Sequence, residues 1–489
     1  MTAPDGNTFS YQYDVANRLS QILSPAGTFG FSYDPSGRRT GLSYPSGVKT
    51  QYSYDPSGFL TGLMAQVSQG PLINSFAYTQ DAMGNRTSMT DISGTHQYTY
   101  DAIYQLTRAI HPSGPREQYR YDPVGNRLKK TMDADNRLLE DNNHRYEYDS
   151  NGNLTQETNK KTGEVRTFGY DDENRLIAFQ DANTVAEYKY DPFGRRVEKK
   201  VNGKVTRYVY DGAHILMEYN EDNKVTSRFV HSLTIDEAVA LERGKKVYYY
   251  HADGLGSITD LTDAKGNIVK EYHYKSYGAL QWQSGSLAQP FRFTGREFDP
   301  ESGLYYYRAR YYNPRMGRFL TKDPIGFAGG DVNLFRYLGN NPVNRRDPSG
   351  LIWGEFLGRI VGPLVGASAQ EAAIAGRMTE ALVGAGMIAS GNENPMSFKN
   401  QLGIVGEGLQ LTGGIQTIFL SEMILAGSSS FPPTFAIILA AAGGIEVGMA
   451  FNEIYERLSG QPLGADIYDW EQAIRNWIQT QKNRIKCGK

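Results

Sequence analysis

Asp323 and Asp347 are the residues best placed to do chemistry, because each opens an Asp-Pro-x-Gly segment close to an abrupt change in composition. Two neighbouring carboxyl groups share one proton, since both cannot ionise side by side. The ionised group activates water while the protonated one polarises a peptide carbonyl. The Leu351–Ile352 bond lies four residues past Asp347, so the chain itself holds it as a substrate. Held side by side, the two carboxyl groups would suit hydrolysis of that bond, with Arg318 as a candidate charge partner.

The same tetrapeptide also forms an ordinary type I turn, with Asp as the cap, Pro second and Gly fourth. The chain repeats it where no hydrolysis is expected, at Asp34, Asp55, Asp122 and Asp191. The catalytic interpretation therefore depends on where Asp347 lies, directly before the composition change, and not on the motif alone.

A domain boundary is predicted at Leu351–Ile352. Of the 34 tyrosines 32 precede it, as do all 7 histidines, whereas the following residues are rich in Gly, Ala, Ile and Leu. A chain of 489 residues is long enough for several domains. The predicted domains are a repeat region (1–247), a continuous core (248–351) and a variable, α-helical C-terminal domain (352–489).

The repeat region carries a Tyr-x-Tyr-Asp pattern or a close variant about ten times between Tyr11 and Asp211, mostly at steps of 20 to 22 residues. Such a period indicates stacked supersecondary units that cannot bury their hydrophobic faces alone. Alternating aromatics followed by a turn predict strand, turn and strand, with both rings of a pair on one face of a mainly β fold. The tyrosines are interpreted as structural, with an exposed carbohydrate-binding row as the alternative.

The core contains Phe293-Thr-Gly-Arg-Glu-Phe-Asp299, a Tyr-rich stretch from Gly303 to Tyr312 and the closing Asp347-Pro-Ser-Gly-Leu351. With the repeats, these motifs resemble the Rhs/YD-repeat family of polymorphic toxins over residues 1–351. The resemblance implies a β-strand spiral that forms a shell around a C-terminal toxin, and self-cleavage after Leu351 by Asp323 and Asp347. It also implies a cognate immunity protein, a secretion-system component, and secretion or delivery to a target cell.

The remaining polar residues of the core are interpreted as structural. His251 and Asp253 have no second histidine at ligand spacing, so a metal site is not favoured. Arg308 and Arg310 are predicted to share one face of a strand and, with Arg296, to form internal ion pairs with Asp or Glu, with an anion site as the alternative.

Residues 352–489 contain no histidine and a single cysteine, which excludes a zinc deaminase, a Cys/His protease and a His-dependent nuclease. Only four basic residues occur between 352 and 460, too few to follow a phosphate backbone, so no nucleic acid partner is expected. Apolar helices are predicted at 402–426 and 434–451. Residues 402–451 suit a membrane-inserting hairpin or, equally, the centre of a soluble helical domain. A hydrolytic effector using a pair of glutamates stays open.

Composition limits the remaining classes. The net charge is −2, and no cofactor motif or cleaved signal peptide is found. The resulting prediction is the C-terminal part of an Rhs toxin that cleaves itself and releases a membrane-active helical effector. The alternatives are an uncleaved, carbohydrate-binding adhesion protein of the cell surface, or an inert truncated copy, since ten repeats are few for a closed shell.

Overall fold

The computed structural model describes residues 1–351, all of which fall in one unit of the chain. These residues form three antiparallel sheets of 11, 16 and 4 strands, in which consecutive strands are neighbours. The prediction of a mainly β fold is confirmed. The predicted helical domain at 352–489, with its apolar stretch at 402–451, lies outside the described residues. Within residues 1–351, no helix is long and apolar enough to cross a membrane.

The first sheet contains the N-terminal repeats. Its strands are β1 Ser10–Tyr13, β2 Leu19–Ser24, β3 Gly27–Tyr33, β4 Arg39–Ser43, β5 Val48–Tyr54, β6 Leu60–Val67, β7 Leu72–Gln80, β8 Arg86–Asp91, β9 Gly94–Tyr100, β10 Leu106–Ile110 and β11 Glu117–Gln118. Each strand pairs with the next one along the chain, so every connection is local.

The second sheet continues the same meander. Its strands are β12 Thr131–Met132, β13 Leu138–Glu140, β14 His144–Tyr148, β15 Leu154–Asn159, β16 Val165–Tyr170, β17 Leu176–Gln180, β18 Val185–Tyr190, β19 Arg196–Val201, β20 Lys204–Asp211, β21 His214–Asn220, β22 Val225–His231, β23 Ala238–Arg243, β24 Lys246–Ala252, β25 Ile258–Asp263, β26 Ile268–Tyr274 and β27 Leu280–Ser284. The predicted boundary at 247/248 falls inside β24, so it does not interrupt the sheet.

The third sheet belongs to the core. Its strands are β28 Glu297–Asp299, β29 Leu304–Tyr307, β30 Arg310–Asn313 and β31 Arg318–Phe319, and short 3-10 turns lie at Phe293–Gly295, Gly326–Gly329 and Leu338–Asn340. All residues of β29 and β30 are buried. The sheet therefore lies inside the described unit.

The aspartate of each repeat closes the turn that follows it. In the repeat at Asp34, the side-chain Oδ1 accepts the backbone N–H of Arg38 at 2.9 Å, and the carbonyl accepts the N–H of Gly37 at 3.0 Å. Gly37 has φ +79°, a conformation that strains other residues. The aspartate is thus required by the turn, which explains its regular recurrence.

In eight repeats, the second aromatic residue of the pair is a tyrosine that ties its repeat to the preceding one. The hydroxyl of Tyr170 donates to the carbonyl of Leu154 at 2.9 Å, and the hydroxyl of Tyr210 donates to Arg196 in the same way. The same bond is made by Tyr33, Tyr54, Tyr100, Tyr121, Tyr190 and Tyr274. Its recurrence agrees with the structural interpretation of the tyrosines.

Arginine adds a second link between repeats. Arg38 forms an ion pair with Asp34 in its own turn, and its guanidinium lies 5.0 Å from the ring centroid of Tyr54 in the next repeat. The two rings of a pair share one face, as predicted; Tyr272 and Tyr274 stack with centroids 6.1 Å apart. Each repeat is held by its own turn and by its neighbour.

Removal of one such hydroxyl should lower stability. We expect Tyr170→Phe to reduce the free energy of unfolding by about 1 kcal/mol, because the Leu154 carbonyl loses its donor. Tyr13→Phe is the matched control, since the Tyr13 ring is 49% exposed. Urea denaturation followed by fluorescence measures both variants. Equal midpoints for the two variants would contradict the structural role of the hydroxyl.

Candidate functional site

Asp323 and Asp347 meet at a single guanidinium. Arg310 Nη2 lies 2.8 Å from Oδ2 of Asp323 and 3.8 Å from Oδ2 of Asp347. All three side chains are at least nine-tenths buried. The two aspartates that the sequence analysis singled out thus lie together, although 24 positions separate them in the chain.

A tight hairpin brings Arg310 to this site. Strands β29 and β30 pair with Tyr307 opposite Arg310, so Arg308 and Ala309 form the turn, and Arg308 adopts φ +57°. The prediction that Arg308 and Arg310 share one face of a strand is therefore wrong, because a chain reversal separates them. Arg308 instead pairs with Asp236.

The predicted ion pairs themselves are present. Arg296 Nη1 lies 2.6 Å from Oδ1 of Asp236, the carboxylate that also pairs with Arg308, and Arg310 pairs with Asp323. The carboxylate of Asp236 thereby serves two arginines and has its pKa lowered to about 2, with burial opposing that shift.

The Asp347 turn repeats the Asp34 turn with different surroundings. Oδ1 of Asp347 accepts the backbone N–H of Gly350 at 2.8 Å and that of Leu351 at 3.3 Å. In the Asp34 turn, Oδ2 pairs with Arg38 of the same turn, whereas Oδ2 of Asp347 faces Arg310 from a distant strand. The turn therefore leaves one carboxylate oxygen of Asp347 free for the core.

The carbonyl oxygen of Leu351, which is part of the Leu351–Ile352 peptide bond, and Oδ2 of Asp323 both lie beside Gly329. A Cβ on Gly329 would stand 3.4 Å from both the Leu351 carbonyl oxygen and Oδ2 of Asp323. Arg310 Nε also donates to the carbonyl of Gly350. A small cavity, of about 10 Å³, is lined by these residues, enough for roughly one water molecule.

Burial keeps a proton on this pair near neutral pH. Burial raises the pKa of Asp323 to about 7, with Arg310 opposing the shift and Asp347 adding to it. Burial also raises the pKa of Asp347, against Arg310 and the N–H of Gly350. One guanidinium beside two carboxyl groups compensates one negative charge, so the second carboxyl favours its protonated form.

Arg318 does not take part in this arrangement. Its guanidinium donates to the carbonyl of Asn136 and lies 5.0 Å from the ring centroid of Phe335. Among residues 1–351, the charge partner of the aspartates is Arg310, which the sequence analysis assigned only to an internal ion pair. The hairpin that delivers Arg310 contains neither Gly nor Asn in its turn, so no turn signal marked it.

A second polar cluster escaped the sequence analysis. His96 and His111 face each other through their Nδ1 atoms at 2.7 Å, and their Nε2 atoms contact Asp91 and Glu117 respectively. The two histidines stand 15 positions apart, which no ligand-spacing rule covers. No group of three metal-ligating side chains occurs in the part of the chain that the structure describes. His251 is buried and contacts Thr262.

The repeats and the buried core define a YD-repeat β protein, and comparison with known families agrees. The profile of the Teneurin YD-shell matches residues 75–343, and that of the RHS Repeat matches residues 1–28 and 33–64. The chain belongs to the teneurin YD-shell family, which confirms the resemblance found from the sequence.

Among individual relatives, tRNA nuclease WapA of Bacillus subtilis (strain 168) is 32% identical over 368 residues, covering 70% of this chain and 16% of WapA. Double-stranded DNA deaminase toxin A of Burkholderia cenocepacia is 29% identical over 371 residues, covering 67% of this chain and 24% of that protein. The chain therefore spans a quarter or less of the length of these relatives.

A solved structure shows the same fold. The Photorhabdus luminescens Tc holotoxin pore matches with a TM-score of 0.54 and 22% identity, over 72% of this chain and 20% of that one. At this identity the likeness concerns the fold alone.

The raised pKa of Asp323 predicts a pH dependence of stability. The folded state keeps the Asp323 proton up to about pH 7, whereas the unfolded state releases it near its ordinary value, so wild-type stability falls between about pH 4 and 7. Asp323→Asn has no such proton to lose and so does not lose stability in this range. We expect the Tm of Asp323→Asn minus the Tm of wild type to increase as the pH rises from 5 to 8. Asp172→Asn, which changes an exposed carboxyl group, is the control. A Tm difference between Asp323→Asn and wild type that stays constant with pH would contradict the raised pKa of Asp323.

Proposed function

We propose that this chain is the C-terminal part of an Rhs polymorphic toxin that cleaves itself after Leu351 and releases residues 352–489. The supporting observation is the convergence of Asp323 and Asp347 on Arg310 beside the Leu351 carbonyl. Two buried carboxyl groups near one peptide carbonyl are the arrangement that acid–base hydrolysis requires.

The two aspartates take different roles in this proposal. The N–H groups of Gly350 and Leu351 favour the ionised form of Asp347, which removes a proton from the attacking water. Protonated Asp323 donates to the carbonyl oxygen of Leu351 as the water oxygen bonds to its carbon. Asp347 then protonates the nitrogen of Ile352, the C–N bond breaks, and Asp323 regains its proton from the hydroxyl. The products are the Leu351 carboxyl group and a free amine at Ile352.

Arg310 acts by positioning in this scheme. It pairs with Asp323 and donates through Nε to the Gly350 carbonyl, so the peptide group directly before Leu351 has a fixed place. A substrate held in position makes the hydrolysis unimolecular, which favours a single intramolecular turnover.

The relatives support a division between carrier and cargo. Two proteins named for different activities, a tRNA nuclease and a double-stranded DNA deaminase, each match about two thirds of this chain. A region shared by proteins of different activity is not the source of either activity. We infer that the shared region encloses and releases a variable C-terminal effector, and that a cognate immunity protein, a secretion-system component and delivery to a target cell belong to this function.

The cleavage proposal is tested on denaturing gels. Full-length wild type should yield a fragment of 138 residues beginning at Ile352, whereas Asp323→Asn and Asp347→Asn should remain intact. Asp34→Asn is the matched control, because Asp34 opens the identical Asp-Pro-Ser-Gly turn far from the core. N-terminal sequencing of the fragment identifies the bond. An intact wild type, or cleavage that persists in both core variants, would overturn the proposal.

The proposed action of the released segment depends on its composition. Residues 402–451 contain a stretch without charge from Met423 to Ile445, broken by Pro432 and Pro433, which suits a membrane-inserting hairpin. We expect the released 352–489 fragment to cause leakage from dye-loaded anionic liposomes. Wild-type protein should act only after cleavage, and Asp347→Asn should be inactive. If neither the released fragment nor cleaved wild-type protein causes leakage, the result would favour a soluble helical effector instead.

A further inference from the structure

Three basic side chains converge where the two large sheets join. Arg127 and Lys130 lie on the connection between β11 and β12, and Arg318 lies on β31 of the core. All three line one small cavity of about 20 Å³. The linings of this cavity and of the one at Asp323 and Asp347 share Asn333 and Arg336. Neither the proposed hydrolysis nor the repeat links make use of the three basic side chains.

None of these three cations has an acidic partner within salt-bridge distance in residues 1–351. Arg127 Nη2 and Arg318 Nε are buried without a hydrogen-bond partner. Aromatic faces take the place of carboxylates: Arg127 lies 3.9 Å from the ring centroid of Tyr277, and Arg318 packs over Phe335. Arg318 is only 7% exposed, so water does not compensate its charge.

The backbone gives these side chains room. Gly317 has φ +71°, and a Cβ there would stand 2.1 Å from Nη2 of Arg127. A Cβ on Gly125, which has φ +80°, would likewise collide with the guanidinium of Arg336. Unlike the other three, Arg336 has its own partner, Asp331, at 2.5 Å. Any other residue at position 317 would displace the Arg127 guanidinium, so the close approach of the charges is built into the chain.

Electrostatics oppose the charges of Lys130 and Arg318, whereas the pKa of Arg127 is raised, against burial, by Tyr277 and other tyrosines. Burial and then the charge of Arg127 lower the pKa of Lys130 to about 7, with Asp141 opposing this shift and Arg318 adding to it. Burial also lowers the pKa of Arg318, with Arg127 adding to that effect. Buried like charges without a counter-charge are costly, and such groups are normally paired.

We propose that Arg127, Lys130 and Arg318 form a binding site for one small oxyanion, of the sulfate or phosphate class. Unpartnered guanidinium N–H groups suit oxyanions, which accept several hydrogen bonds at once. The cavity has room for a single small group and not for a nucleotide or a peptide. A bound oxyanion would join the connection between the sheets to the core.

Sulfate is the appropriate probe, because its charge is constant between pH 6 and 8. Thermal unfolding of the full chain in sulfate, at constant ionic strength with sodium chloride, should show a saturable rise in Tm at millimolar concentrations. Lys130→Met should lose that rise and, without sulfate, should be no less stable than wild type, since a repulsion is removed. Lys161→Met, which removes an exposed lysine, should respond like wild type.

Isothermal titration calorimetry supplies an independent readout. Sulfate should bind about tenfold more weakly at pH 8 than at pH 6, because Lys130 loses its proton between them. In Lys130→Met this pH dependence should disappear. Equal sulfate responses of wild type and Lys130→Met, or a linear effect without saturation, would show a general salt effect and overturn the proposal. Failure of the cleavage test leaves this result untouched, since Arg127, Lys130 and Arg318 have no part in the proposed hydrolysis.

Discussion

The hydrogen bond from a tyrosine hydroxyl to a carbonyl of the preceding repeat is the interaction on which the described structure depends. Tyr170 makes it to Leu154, and the same contact recurs along both large sheets. A half-buried hydroxyl needs a partner, and the carbonyl reached lies 14 to 16 positions earlier in each case. This requirement explains why Tyr and Asp keep a nearly constant spacing while the residues between them vary.

One turn serves two purposes in this chain. At Asp34 the carboxylate caps the turn and pairs with Arg38 of the same turn, which uses both of its oxygens locally. After the Asp347 turn, Leu351 stands where Arg38 follows the Asp34 turn, so the second oxygen of Asp347 has no local cation and faces Arg310 of the core. The difference between a structural and a candidate catalytic turn is therefore one side chain and its surroundings.

The strands and their shared aromatic faces could be predicted from the sequence, because local periodicity and turn chemistry determine them. The two aspartates were indicated by the family resemblance and by the composition change after Leu351, since the same turn also occurs at Asp34. Arg310 could not be identified as the partner of Asp323, since its position depends on a hairpin whose turn residue, Arg308, gives no turn signal. Arg318 was the candidate charge partner, but β31 directs its guanidinium toward the carbonyl of Asn136, which no local pattern in the sequence indicates.

Charge balance separates the two polar sites of the core. At the proposed cleavage site one cation, Arg310, faces two carboxyl groups, so the cluster lacks one positive charge and retains a proton near neutral pH. At the cavity of Arg127, Lys130 and Arg318 the imbalance is reversed, and no proton can relieve it except by leaving Lys130. A surplus of carboxyl groups is thus met by protonation, which supplies the acid of the proposed hydrolysis. A surplus of guanidinium can be met only by an anion, because arginine does not give up its proton.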